Sequence, residues 1–159
     1  MKFIWAGLMN LSNYIKENDV RKNLLKFLRR VSKLTHIISI YLFGSIVRGD
    51  YNSDSDIDVL IITENSYQKE IRKAVFSRDY YQLDKQVINY YSGGLQLLIL
   101  DINTLENSFA TLPSKLLIEG KLVFGKPIHM IIEIEKLNLN NKPNPKLLFE
   151  ELRKIKIPF

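Results

Sequence analysis

Two aspartates separated by a single residue, Asp56 and Asp58, open an apolar run that continues from Ile57 to Ile62. Side chains alternate along a strand, so this spacing predicts both carboxylates on one face and Ile57 in the core. Two such anions side by side repel, and placing them at a strand end is costly unless a cation neutralises them. Magnesium takes hard oxygen ligands and keeps waters and substrate phosphates in its shell. Asp56 and Asp58 are therefore the expected metal ligands, with Mg2+ as the cofactor and Mn2+ as its alternative.

Upstream, the apolar run Ile37 to Phe43 is broken by Gly44-Ser45, and ten residues then lead to Asp56. Without a Cβ, Gly44 lets backbone come close to a phosphate. Ser45 adds a hydroxyl and an amide, and a helix starting there would aim its positive end at an anion. Arg48 continues the turn and could pair with phosphate oxygens. Gly44, Ser45, Arg48 and Ser55 are the expected nucleotide-binding residues, while Asp50 and Asp54 read as solvated turn formers. Taken singly, each feature is what any polar turn carries. In this order they point to a grip on a metal-bound triphosphate.

The elements that must hold these residues follow from periodicity. Val20, Leu24, Phe27, Leu28, Val31 and Leu34 recur at helical spacing over Asp19 to Leu34. Ile37 to Phe43 and Ile57 to Ile62 read as buried strands. Residues 66 to 91 are expected to be mostly helical, and Ser92-Gly93-Gly94 forces a turn before a third strand, Leu95 to Leu100. Asn103 with Glu106 resembles a capping box for a helix ending at Pro113, followed by a short helix from Ser114 to Gly120 and a strand from Lys121 to Phe124. Ile128 to Ile134 fits strand or helix, residues 140 to 145 a linker, and Lys146 to Ile157 a terminal helix. The pattern predicts an α/β (α+β) fold, a small mixed sheet covered by helices on one face. Residues 1–127 form the expected main domain, and 128–159 a C-terminal extension packed on it.

At 159 residues and 46% hydrophobic, the chain can bury one proper core. No run of 18 apolar residues would span a membrane. The apolar opening from Met1 to Met9 is short and lacks a small-residue cleavage site, so a cytoplasmic location is expected. Zero cysteines exclude disulfides and thiolate metal sites. A net charge of +6 suits an anionic partner, but the basic residues from Lys16 to Lys33 lie along one helical stretch, as on an ordinary solvated face, so nucleic acid is not the favoured partner. His36 and His129 are each isolated among apolar neighbours and read as structural. The aromatics Tyr67, Phe76, Tyr80, Tyr81, Tyr90 and Tyr91 fit core packing or a partner-facing surface, including an oligomer contact, better than base stacking.

The segment YLFGSIVRGDYNSDSDIDVLII, residues 41 to 62, resembles the signature of the DNA polymerase beta superfamily of nucleotidyltransferases: Gly-Ser, ten residues, Asp-x-Asp. It is most similar to the small "minimal" nucleotidyltransferases, over roughly residues 20 to 125, including Leu117 to Gly125 as the family's closing hairpin. The resemblance implies a DNA polymerase beta-like fold and transfer of an NMP unit from an NTP, with ATP expected, to a hydroxyl. It also implies a HEPN-type protein partner, as in toxin–antitoxin pairs. The family brings a third carboxylate from a later strand, about five residues before the next polar turn, and that position falls on Gln96. Asp101 is the substitute, but it lies an odd number of residues away, and a regular strand points it to the opposite face. Gln96 is the expected occupant. A neutral amide there would weaken a second metal, so the alternative reading is a nucleotide- or partner-binding module with reduced catalysis.

Overall fold

The computed structural model describes residues 8–108, 119–128 and 131. A 3-10 turn, Leu8–Asn13, leads into α1 (Asn18–Ser32), whose buried Val20, Leu24, Phe27, Leu28 and Val31 form its inward stripe. Then follow β1 (Ile37–Phe43), α2 (Ser45–Arg48), β2 (Asp56–Thr63), α3 (Gln68–Val75), α4 (Arg78–Ile88), β3 (Gly94–Asp101), α5 (Ile102–Ser108) and β4 (Lys121–Gly125). Among the described residues no helix is long and apolar enough to cross a membrane.

The strands form a four-stranded mixed sheet in the order β3-β2-β1-β4. β1 pairs antiparallel with β2 and β4, whereas β2 and β3 run parallel. A parallel pair needs a long crossover, which α3 and α4 supply. Strand alternation then divides the apolar residues between two faces. Ile57, Val59, Ile61, Leu95, Leu97 and Ile99 pack with residues of α1, α3 and α4 in the larger core. Leu60, Ile62 and Leu100 face the other way, into a smaller cluster with Tyr41, Phe43, Leu105 and Ile128. The carboxylate of Asp58 belongs to this second face by parity, one step above Leu60.

The stretch 66 to 91 is mostly helical, as expected, and falls into two helices, because α3 stops at Val75 and Ser77 is fully extended (ψ −179°) before α4 restarts. Two expectations are corrected. β2 begins at Asp56 itself, not at Ile57, and β3 reaches from Gly94 to Asp101. The cap of α5 is Asp101 rather than Asn103: Asp101 Oδ1 accepts from the Thr104 amide at 2.7 Å, the third residue of the helix. The Asn103 amide instead donates to Asn65 Oδ1 at 2.7 Å. The end of that helix at Pro113, the helix starting at Ser114, residues 132 to 134, the 140–145 linker, the 146–157 helix and His129 lie outside the described residues.

Candidate functional site

The strand register assembles the site. Phe43, the last residue of β1, pairs with Asp58, so Gly44 emerges directly beside that carboxylate. Gly44 adopts φ +83° and ψ −159°, a combination essentially confined to glycine. A Cβ here would overlap Asp58 Oδ2 and stand 3.2 Å from its Cγ. The small-residue turn and the acid are therefore in contact, and only hydrogen at position 44 leaves the carboxylate where it is. Gly44 is also the N-cap of α2, where its carbonyl accepts from Val47 and Arg48 at 3.1 Å, and Ser45 opens that short helix.

Asp56 and Asp58 are both half-buried, on the same side of β2, with Ile57 fully buried between them. A second glycine packs from the neighbouring strand end. At Gly93 a Cβ would come within 2.8 Å of Asp56 Cβ and of the Ser55 carbonyl, and the Gly93 amide donates to that carbonyl at 3.0 Å. Two glycines thus press on the two aspartates, one on each. The donor set is two hard carboxylates at a strand end, with a cradle beside Asp58 that a side chain would fill. It fits a divalent cation completed by water and phosphate oxygens. Among the described residues no group of three or more His, Cys, Asp or Glu is placed to share one ion.

The parallel register sets Gln96 beside Asp58 on the same face, and Asp101 beside Thr63 at the far end of β3. Five residues of strand separate Gln96 from Asp101, about 16 Å. The structure thus brings Gln96 to the acid pair and keeps Asp101 away. Gln96 Nε2 donates to the Gly93 carbonyl at 2.9 Å, which folds the side chain back toward the turn pressed on Asp56. Asp101 accepts from Thr104 and from the Ser66 amide. Burial pushes its carboxyl pKa up, but these hydrogen bonds outweigh it and hold the group below its ordinary value.

The remaining expected residues are engaged locally. Arg48 reaches Glu119 (Nη1 to Oε1, 3.3 Å) and Asp50 (Nη2 to Oδ1, 3.3 Å). The Ser55 hydroxyl accepts from the Asn52 amide at 2.9 Å, closing the turn before β2. Asp54 receives the Ser92 hydroxyl at 3.5 Å and belongs to the same loop contact. His36 lies away from the pair, stacked on Tyr67 at a centroid distance of 3.4 Å, with Nδ1 2.7 Å from Glu64 Oε2. Tyr80 donates to the Leu95 carbonyl at 2.7 Å, and burial first, then the nearby Asp84 and Tyr81, push its hydroxyl pKa up to about 12. Tyr81 and Tyr90 are exposed on or just after α4, not at the acid pair.

Two contacts escape a reading of spacing alone. Gly93 looks like an ordinary turn residue in Ser92-Gly93-Gly94, and its pressure on Asp56, 37 residues earlier, depends on the register between β2 and β3. Glu119 meets Arg48 across 71 residues of chain. Only the unusual abundance of small residues just before β3 hinted at the first; nothing in the local pattern marks the second.

With this geometry in hand, comparison with known proteins gives three findings. The profile of the nucleotidyltransferase domain family matches residues 21–139, which contain every site residue named above. A comparison with curated proteins finds no match. Among solved structures, the fold is similar to spectinomycin adenyltransferase AAD(9) from Enterococcus faecialis, solved with ATP and spectinomycin. That likeness has TM-score 0.50 and 17% identity over 86% of this chain, which spans 63% of that one. A toxin–antitoxin structure with AMP-PNP is similar at TM-score 0.46 and 18% identity, covering 84% of this chain and 94% of that one. A Shewanella oneidensis structure of a tri-AMPylated HEPN toxin with MNT antitoxin is similar at TM-score 0.43 and 16% identity, covering 89% and 96%.

Proposed function

The chain belongs to the nucleotidyltransferase domain family, and from that premise we propose that it moves an NMP unit from an NTP, ATP in the first instance, to a hydroxyl acceptor at the Asp56–Asp58 site. The observation that carries this reading is the contact between Gly44 and Asp58, which sets a turn able to approach phosphate directly against a carboxylate able to bind metal. Asp56 and Asp58 would hold the divalent cation, Mg2+ or Mn2+, which when bound neutralises phosphate oxygens and steadies the charge that builds on the leaving group. Gly44 admits the polyphosphate without a steric clash, and Ser45 offers its amide and hydroxyl at the start of α2. The acceptor oxygen bonds to the α-phosphorus, the α–β phosphoanhydride bond breaks, and pyrophosphate leaves with the bonding pair.

The hydroxyl proton passes to solvent water, because position 96 offers no anion to take it: the Gln96 amide is neutral and already donates to Gly93. The acceptor we favour is a hydroxyl on a HEPN-type protein partner, which rests on the resemblance of the signature. The test is incubation with α-labelled ATP and Mg2+ or Mn2+, with and without such a partner. Label should move to the partner and vanish in Asp58→Ala. If wild type and Asp58→Ala label the partner equally, the Asp56–Asp58 site is not the seat of transfer.

Gln96 itself favours a second reading, a nucleotide- or partner-binding module with reduced catalysis. Position 96 stands in register with Asp58, where an additional carboxylate would stand on the same face as the acid pair. In the same assay this reading predicts no transfer by wild type and a gain in Gln96→Asp.

A further inference from the structure

The outward side of α1 carries four exposed cations, Lys22, Lys26, Arg29 and Lys33, the last being the αR residue that caps the helix. At 3.6 residues per turn they fall within about 60° of one another and extend about 16 Å along the axis. The sequence has no acid between Asp19 and Asp50, so the line never alternates in sign. Among the described residues none of the four side chains enters an ion pair or a hydrogen bond. Like charges three and four residues apart repel, and an ordinary solvated helix relieves this with acids at the same spacing. Here no acid does so, which sets this face apart from the solvated one that its sequence suggests. An open groove of about 410 Å³ follows one flank of the ridge, where Asn23, Lys26 and Arg30 of α1 face Gln82 and Gln86 of α4. The nearby acids are engaged: Asp79 pairs with Arg30, and Asp19 accepts from Gln86 Nε2 at 3.2 Å and from the Tyr90 hydroxyl at 3.3 Å. The Asn23 amide donates to Gln86 Oε1 at 2.9 Å, while the Asn23 carbonyl oxygen and the Gln82 amide have no partner among the described residues.

We propose that this ridge and groove bind the backbone of double-stranded RNA without reading its sequence. The four cations meet phosphates, and the amides of the groove meet ribose 2′-hydroxyls, which both donate and accept. Charge spacing supports the match: each strand of a duplex carries one phosphate per about 3.4 Å of axis, about five over the length of the ridge. An acidic protein would engage the cations alone and leave the amides idle, and a DNA duplex has no 2′-hydroxyl for them. α1 packs into the larger core, on the face of the sheet opposite Asp58, so this site is separate from the Asp56–Asp58 reading and does not rest on it.

The experiment follows the full chain binding a labelled RNA duplex of about 20 base pairs by fluorescence anisotropy, from 50 to 200 mM KCl. Four phosphate contacts predict a slope of about −3.6 in log affinity against log salt, an affinity loss of about 150-fold over that range. Lys22→Gln, Lys26→Gln, Arg29→Gln and Lys33→Gln should each make the slope shallower by about 0.9. Because each substitution relieves repulsion along α1, these variants should melt no lower than wild type, which separates lost binding from lost folding. Lys26→Glu with Arg29→Glu should abolish binding. Lys69→Glu with Lys73→Glu makes the same change of net charge on exposed positions of α3, and should stay within about three-fold of wild type. Wild type should bind a DNA duplex of the same sequence about ten-fold more weakly, and Gln82→Ala should narrow that gap. A slope shallower than about −1, or an equal loss in the α3 control, overturns the proposal. So does equal affinity for DNA, or poly-L-glutamate that displaces the RNA as well as unlabelled RNA does.

Discussion

Replacing Gly44 by alanine separates the cost of a strained backbone from the cost of a displaced acid. At φ +83° and ψ −159° a Cβ carries a penalty of about 1–3 kcal/mol. For a chain of this size each kcal/mol lowers Tm by about 2–4 °C, so the melt should shift by roughly 2–12 °C. The new methyl also overlaps Asp58 Oδ2 and crowds its Cγ at 3.2 Å. The atom that must yield is the end of a side chain, so Asp58 rotates away while the strand stays in place. The loss of cation-dependent nucleotide binding should then be far larger than the stability loss suggests. Gly49→Ala is the matched control, because Gly49 also has positive φ (+87°) but a Cβ there meets nothing within 4 Å. It should cost about 1–2 kcal/mol and bind nucleotide as wild type does. Thermal melts paired with calorimetric titration of ATP and Mn2+ check both variants. If Gly44→Ala binds as tightly as Gly49→Ala, the contact between turn and carboxylate does not matter to the site, and the reasoning fails.

Gly93→Ala should act on the other aspartate: overpacking against Asp56 Cβ and the Ser55 carbonyl, both at 2.8 Å, costs about 1–3 kcal/mol and reduces metal affinity, measured by Mn2+ titration. Asp101→Ala removes the α5 cap at a cost of about 0.5–2 kcal/mol in chemical denaturation, with transfer activity unchanged because the residue stands at the far end of β3. Its folded pKa lies below the ordinary value of 3.8, so its contribution is complete above that pH and fades as pH falls through the depressed value; the wild-type and Asp101→Ala stability curves should converge there. Tyr80→Phe leaves the Leu95 carbonyl without its 2.7 Å donor and should lower stability by about 1–3 kcal/mol, read from urea melts.

Much of this site could be read from residue order, for a physical reason. The Asp56-Ile57-Asp58 alternation needs only strand geometry, and Ile57 at 0% exposure beside two half-buried acids is that alternation in space. β1 was legible to the residue, since an apolar run interrupted only by Ser39 ends at a glycine. What escaped depends on partners far away in the chain. The division of the helical stretch 66 to 91 into two helices at Ser77 has no proline or glycine to mark it. The cap of α5 moved from Asn103 to Asp101 because β3 continues farther than its apolar residues, and its last residue faces the α5 amides. The role of Gly93 follows from parallel pairing of Asp56 with Gly94, and the Arg48–Glu119 pair from the position of β4 beside β1. Register and strand order are tertiary facts, and short-range periodicity does not contain them.

The central claim is tested most directly by crystals grown with Mn2+ and a non-hydrolysable ATP analogue, read by anomalous scattering. The account predicts a manganese peak between the Asp56 and Asp58 carboxylates, with the triphosphate running past Gly44 and Ser45. A peak elsewhere, or a triphosphate bound away from that turn, would contradict it.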